Sequence, residues 1–439
     1  MRQHFPAWAA LALSCALLAG CTKWEATQTV TGVVTPGPNV QVDWSVLEEP
    51  EALPAVGGRW YEGYVPELIP SPDYGPLLPC RAALAMTQAW WEEEPGYTSP
   101  SWLYGLMTQD GILVMDGVCS SVSRSSYTLP ERGSYRTCPL PVYALVKGDA
   151  ELGSPTTGDL VALAAEDGSW WTGFRFWGSI AYPDGIAAGD KDGLTLLDAY
   201  TGAQTGRYTW AELGISDGAT IPWFTGDAPS TAQWTGERLF LGVFGENYDT
   251  ARFLDPATGT VTTCSAQDWY NQWEEKYNAP AYQQAQWTAA AHEDGTITLT
   301  KGAGSHTFPN PLPQDEYPSV LQEDRVYFSV WGEEGSSFAV TDLEGNVIIP
   351  VQNGDLSILN GQPENDLLLF AIRGAEGWTI YDRDGKELYA LPGELGSWCY
   401  LNGPLIEIVQ ENCAAYYSAE TGDCIRRVYA GLEGREPDL

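Results

Sequence analysis

Hydrophobic and polar residues alternate along most of the chain with period two, in strand-length runs that end on Asp-Gly, Thr-Gly or Glu-Gly pairs. Alternation of that kind marks half-buried β-strands, and the glycines supply the positive φ that tight hairpins require. Eight such hairpins occur, with their glycines at Gly111, Gly168, Gly202, Gly259, Gly295, Gly345, Gly385 and Gly422. Their mean spacing is about 44 residues, the length of a four-stranded propeller blade. Individual gaps run from 34 to 57 residues, so the connections between units must be uneven. The pattern predicts an all-β chain. Its architecture is a β-propeller of seven to eight blades over residues 56–439: eight by hairpin count, seven if one copy is false. A pair of β-sandwiches with similar turns is the alternative.

Two stretches depart from the alternation. Ser265-Ala-Gln-Asp268 has the spacing of a capping box, and Trp269, Trp273 and Tyr277 follow at helical intervals until Pro280, which predicts a short helix laying one aromatic face on a sheet. Residues 81–91 are compatible with either a helix or a strand.

The amino terminus reads differently. An apolar run from Ala7 to Leu18 suits the h-region of an export signal and is too short to span a membrane as a helix. It ends in Leu18-Ala19-Gly20-Cys21, which resembles the lipobox of bacterial lipoproteins. The resemblance implies cleavage after residue 20 and lipid on Cys21, with two or more acyl chains giving stable anchoring. Residues 21–55 are rich in Thr, Val, Pro and Gly and read as a tether. The expected location is the bacterial cell envelope, outside the cytoplasm.

The hairpins carry resemblances of their own. Tyr104-Gly105-Leu106 followed by Gln109-Asp110-Gly111-Ile112-Leu113-Val114 resembles the WG repeat, as does Gly345-Asn346-Val347-Ile348-Ile349-Pro350. Leu197-Asp198-Ala199-Tyr200-Thr201-Gly202 with Trp210, and Leu254-Asp255-Pro256-Ala257-Thr258-Gly259, are similar to quinoprotein-like propeller repeats. Both resemblances imply a propeller and neither implies an activity, because the motifs encode turn geometry.

Composition narrows the partners. The 58 Asp and Glu residues outnumber 22 Lys and Arg, giving a formal charge of −36. Such a surface repels nucleic acid and anionic headgroups. Beyond the signal, His292 and His306 are the two histidines, and no Ser-His, Cys-His, zinc or phosphate-loop motif contains them. Asp190-Lys-Asp192-Gly193 and Asp382-Arg-Asp384-Gly385 hold only part of a calcium loop. Seven cysteines follow Cys21, and buried thiols are expected. No catalytic residue, metal or cofactor is therefore assigned. The runs Glu92–Glu94, Glu274-Glu275 and Glu333-Glu334 read as solvated charge.

With 19 tryptophans, some rings are available for binding, and Trp177, Trp223 and Trp234, near turns or glycines, are the candidates. The expected function is that of a monomeric, non-enzymatic binding or scaffold protein for a protein or glycan. An exported carbohydrate-active enzyme with paired carboxylates in the propeller channel is the alternative.

Overall fold

The computed structural model describes residues 52–54, 68, 71–88, 98–131, 134–146, 161–215, 238–245, 248–277, 286–313, 315, 317–332, 335–360, 367–393, 396–410, 413–429 and 431–433. Cys21, Trp223 and Trp234 lie outside these residues, as does the signal.

Within them the chain is all-β apart from one α-helix and a 3-10 turn at Pro72–Tyr74. Eight antiparallel sheets follow one another as meanders: sheet I over 78–119, II over 121–165, III over 178–209, IV over 239–265, V over 288–309, VI over 319–353, VII over 356–392 and VIII over 398–429. Sheets III, VI, VII and VIII have four strands and the others three. Residues 81–88 fall in the strand Leu78–Gln88, which settles that ambiguity in favour of a strand. Ala52–Pro54, part of the stretch read as tether, pair in parallel with Gly431–Glu433.

The hairpins fall one to a sheet, and all eight glycines have positive φ. In seven the turn precedes the last strand or edge of its sheet and packs on what precedes it. A Cβ on Gly202 would lie 2.6 Å from the Trp170 ring, one on Gly422 2.8 Å from Tyr389, and one on Gly385 would overlap the Ile348 carbonyl. Gly111, in sheet I, packs in the same way on Ile425 of sheet VIII. Gly295 differs: it joins the first two strands of sheet V, and nothing stands within 4 Å of where its Cβ would be. That hairpin is the non-equivalent copy, although it belongs to a sheet of its own.

Apolar clusters join the sheets in the same order. Phe308 and Phe328 link V to VI, Phe338 and Phe370 link VI to VII, and Trp378 and Ile406 link VII to VIII. Leu78 and Tyr416 link VIII back to I, Leu106 and Leu145 link I to II, Leu163 and Ile186 link II to III, and Leu196 and Leu241 link III to IV. Among the described residues no such cluster joins IV to V. There the helix α1 (Ala266–Tyr277) lays Trp269 on sheet IV, stacked 5.4 Å from Phe240 and edge-on at 5.2 Å to Phe253. Its first turn is capped as the spacing predicted, with the Asp268 N–H donating to Ser265 Oγ at 3.0 Å.

The turn acids are structural. Asp198 accepts from the N–H groups of Tyr200 and Thr201 and from the Thr201 hydroxyl, and Asp255 repeats this with Ala257 and Thr258. Both carboxyls are held below their usual range, chiefly by those threonine hydroxyls. The two partial calcium loops are used likewise. Asp190 accepts from the Asp192 and Gly193 N–H groups and pairs with Arg207 at 2.8 Å, while Asp382 accepts from the N–H groups of Asp384 and Lys386. No cluster of three metal-ligating side chains occurs among the described residues.

Candidate functional site

Alternating strand direction gives each sheet two ends. The end that carries Gly111, Gly202, Gly259, Gly345, Gly385 and Gly422 is the turn end. Connections on the other side of those strands, and residues preceding the first strand of a four-stranded sheet, lie at the opposite end.

The four most exposed aromatics among the described residues lie at that opposite end, while Tyr200 at the turn end and Tyr270 on the helix are each 57% exposed. Trp331 is 82% exposed beside the Gly332–Gly335 turn of sheet VI, and Tyr317, just before that sheet, is 81% exposed. Tyr248 (76%) lies in the corresponding turn of sheet IV, and Trp398 (64%) opens sheet VIII. Covering one such ring is worth about 1.5–3 kcal/mol, the value of burying a large apolar side chain. Folding leaves that stabilisation unused at each of these positions.

Sheet VI presents its pair on a fixed support. Buried Asn310 donates from Nδ2 to the Asp315 carbonyl at 3.0 Å and accepts the Leu312 N–H at 2.9 Å. The Asp315 carboxylate accepts the Tyr317 N–H at 2.9 Å and the Ser329 N–H at 2.8 Å. These bonds pin the segment before Ser319 against the strand Arg325–Gly332. Extending the register of Ser319 with Tyr327 puts Tyr317 level with Ser329, a diagonal neighbour of Trp331 on the same sheet face.

Between Trp331 and Trp398 stands sheet VII, whose connection at this end is the low Gly374-Ala375-Glu376-Gly377 turn. These residues, with Trp378, Leu391, Tyr417 and Asp423, line a groove of about 850 Å³ between sheets VII and VIII. Arg373 borders it. Its guanidinium pairs with Asp355 at 2.6 Å, lies over the Trp378 ring at 6.0 Å and donates to the Ser397 carbonyl.

Beyond Trp398 rises the hairpin of sheet I. Its strand starts with Leu78 against Gly403, and Arg81 lies level with Tyr400, so 84–88 run on past the end of sheet VIII. Five further residues extend about 16 Å at 3.3 Å each.

The join between sheets VIII and I holds a buried polar set. Tyr400, Glu407, Tyr416 and Arg426 are cross-strand neighbours in one row facing sheet I. Arg81 pairs with Glu407 at 2.7 Å, and the Tyr416 hydroxyl donates to Glu407 at 2.5 Å and accepts the Arg81 N–H at 2.7 Å. The Arg81 guanidinium also lies over the Tyr104 and Tyr400 rings, and Arg426 donates to the Gly111 carbonyl at 2.7 Å. Burial pushes the Tyr416 hydroxyl well up, and it raises the nearby Cys80 and Cys399 thiols to about 12. Glu407 is the buried carboxylate among the described residues, and it is spent on Arg81 and Tyr416.

Of the tryptophans picked out in the sequence, Trp177 precedes the first strand of sheet III and so lies at the aromatic end, half-buried, with its N–H donating to the Gly189 carbonyl at 2.8 Å. His292 bonds Thr298 at 2.8 Å on the outer side of sheet V, and His306 sits 6.1 Å from the Trp287 ring. The seven described cysteines are all thiols. Tyr317, Trp331 and Trp398 were not singled out from sequence. Trp398-Cys399-Tyr400-Leu401 has apolar residues in both phases of the alternation, so the outward phase cannot be read without the neighbouring sheet.

No family model matches the chain, and no curated protein sequence matches it either. Among solved structures it is similar to a eukaryotic initiation factor (11% identity, covering 78% of this chain and 95% of that one, TM-score 0.33). It is also similar to Hsv2 of Kluyvelomyces marxianus (8%, 73% and 87%, TM-score 0.20) and to an acylaminoacyl peptidase of Pyrococcus horikoshii (11%, 72% and 52%, TM-score 0.25). Likeness at this level carries no argument about function.

Proposed function

We propose that the chain is a lipid-anchored, extracytoplasmic binding protein of eight-bladed propeller form, which engages a protein or glycan through its aromatic end and catalyses nothing. The observation that carries this reading is the gathering of Tyr317, Trp331, Trp398 and Tyr248 at one end of the sheets, with the first pair held by the Asn310 and Asp315 hydrogen bonds. A rigid, solvated aromatic surface loses little side-chain entropy on binding and has much area to bury. The packing of sheet VIII on sheet I is what a ring needs at its closure. The lipobox ending at Cys21 supports the anchor, and the charge of −36 holds the folded part off an anionic bilayer.

The carbohydrate-active alternative needs two facing carboxylates, one of them free to take or give a proton. Glu407, bound to Arg81, is poorly suited to that work.

A triple variant, Y317A/W331A/W398A, tests the reading. Compared in the unanchored Cys21→Ser background, it is expected to keep the parent melting temperature within a few degrees and to lose retention on the cell-envelope fraction that retains the Cys21→Ser parent. Unchanged retention, or steady turnover of a defined substrate by the purified parent, would overturn it. Mass spectrometry of the native amino-terminal peptide checks for acyl chains on Cys21.

A further inference from the structure

Resting on that reading of the aromatic end, we infer that its occupant is a basic polypeptide segment, whose Lys and Arg side chains lie over the Tyr317, Trp331 and Trp398 rings. Exposed aromatic faces take cations or apolar surface, and the surrounding charge decides between them. Sheets VI–VIII are acidic at this end. Glu376 is exposed at the crest of the low turn between the two tryptophans, and Asp315 and Asp355 precede the first strands of sheets VI and VII at the same end. Farther round, Asp249 adjoins exposed Tyr248.

The cations of the same end do not offset this. Arg373 is neutralised by Asp355 at 2.6 Å. Lys191 stands between Asp190 and Asp192, and Arg175, over the Phe176 ring, belongs to the sheet II and III side. A whole-chain charge of −36 adds a long-range field that draws cations in and rejects acidic polymers. An extended polypeptide also suits the dimensions better than a small cation. The rings are spread over sheets VI and VIII with the low turn between them.

The test uses the full chain in detergent and a synthetic 16-residue peptide of alternating Lys and Ser, titrated by tryptophan fluorescence and calorimetry at 20 and 300 mM NaCl. A neutral β-linked hexasaccharide and a polyglutamate peptide are titrated in parallel. Saturable binding of the basic peptide is expected, weakened tenfold or more by the higher salt. Y317A/W331A should weaken it a further tenfold, since two exposed cation–π contacts are worth about one factor of ten together. Ile112→Ala, at the turn end, should leave it unchanged, and polyglutamate should not bind.

Three results would overturn the inference. The basic peptide could fail to bind, which removes it outright. The hexasaccharide could bind instead, sensitive to Y317A/W331A but not to salt, which removes the basic partner while leaving the aromatic end as the binding site. Lastly, the basic peptide could bind with no effect of Y317A/W331A, which reduces the interaction to diffuse attraction and leaves the aromatic end without support.

Discussion

Glycine and aspartate account for the turns residue by residue. Gly385 and Gly295 have nearly the same φ, 78° and 81°, but only Gly385 has a neighbouring carbonyl where a Cβ would go. Gly295→Ala should cost about 1 kcal/mol of backbone strain. Gly385→Ala should cost about 2–4 kcal/mol, because sheet VI must also give way. Urea denaturation of the two variants checks the difference. The turn aspartates set the acid limit of stability. Asp198, Asp255, Asp294 and Asp342 all have folded-state values below the usual carboxylate range. Their contribution is therefore complete above the unfolded value of about 3.9 and is lost as pH falls through the lower folded values. Melting temperature should drop steeply below pH 4. At the alkaline limit the signs reverse. Cys80 and Cys399 stay protonated in the fold up to about 12 and ionise near 9 when unfolded, so stability should decline from pH 9 to 12. Neither thiol should react with iodoacetamide at pH 8.

At the scale of elements, helix α1 shows what the sequence could and could not specify. Its cap was legible, because Ser265 and Asp268 act within one turn. That Trp269 covers the sheet IV face that other sheets turn toward a neighbour was not, because it depends on where sheet V lies. Trp269→Ala should cost about 2–4 kcal/mol and lower the helical signal. Ser265→Ala should cost about 1 kcal/mol. The hairpins were legible for the same local reason, down to one per sheet. The exception at Gly295 was hidden, since its Asp-Gly pair is as good a turn signal as the others and only the packing separates it.

Over the whole molecule, ion pairs cross from sheet V to VI (Lys301 with Glu323) and from VI to VII (Arg325 with Asp384, Asp324 with Arg383), but the polar set where the last sheet meets the first is the buried one. There Arg81, Glu407 and Tyr416 form a buried polar set, and Arg426 reaches the Gly111 turn. Sequence alternation could not pair residues 326 positions apart, nor say which end would hold the aromatics. Glu407→Ala leaves Arg81 buried without its partner and should cost about 3–5 kcal/mol. The double variant R81M/E407L should recover most of that loss, because two apolar side chains strand no charge. Chemical denaturation of both variants tests the pair.

On the proposed function the two ends of the sheets differ in role: hydrogen-bonded turns at one, a binding surface at the other. Photo-cross-linking in the native envelope addresses it directly, with benzoylphenylalanine placed at Trp331, at Trp398, and at Ile112 and Tyr200 on the turn end. The account predicts adducts of one discrete mass from positions 331 and 398 and none from 112 and 200. Adducts confined to the turn end, or formed equally from all four positions, would contradict it.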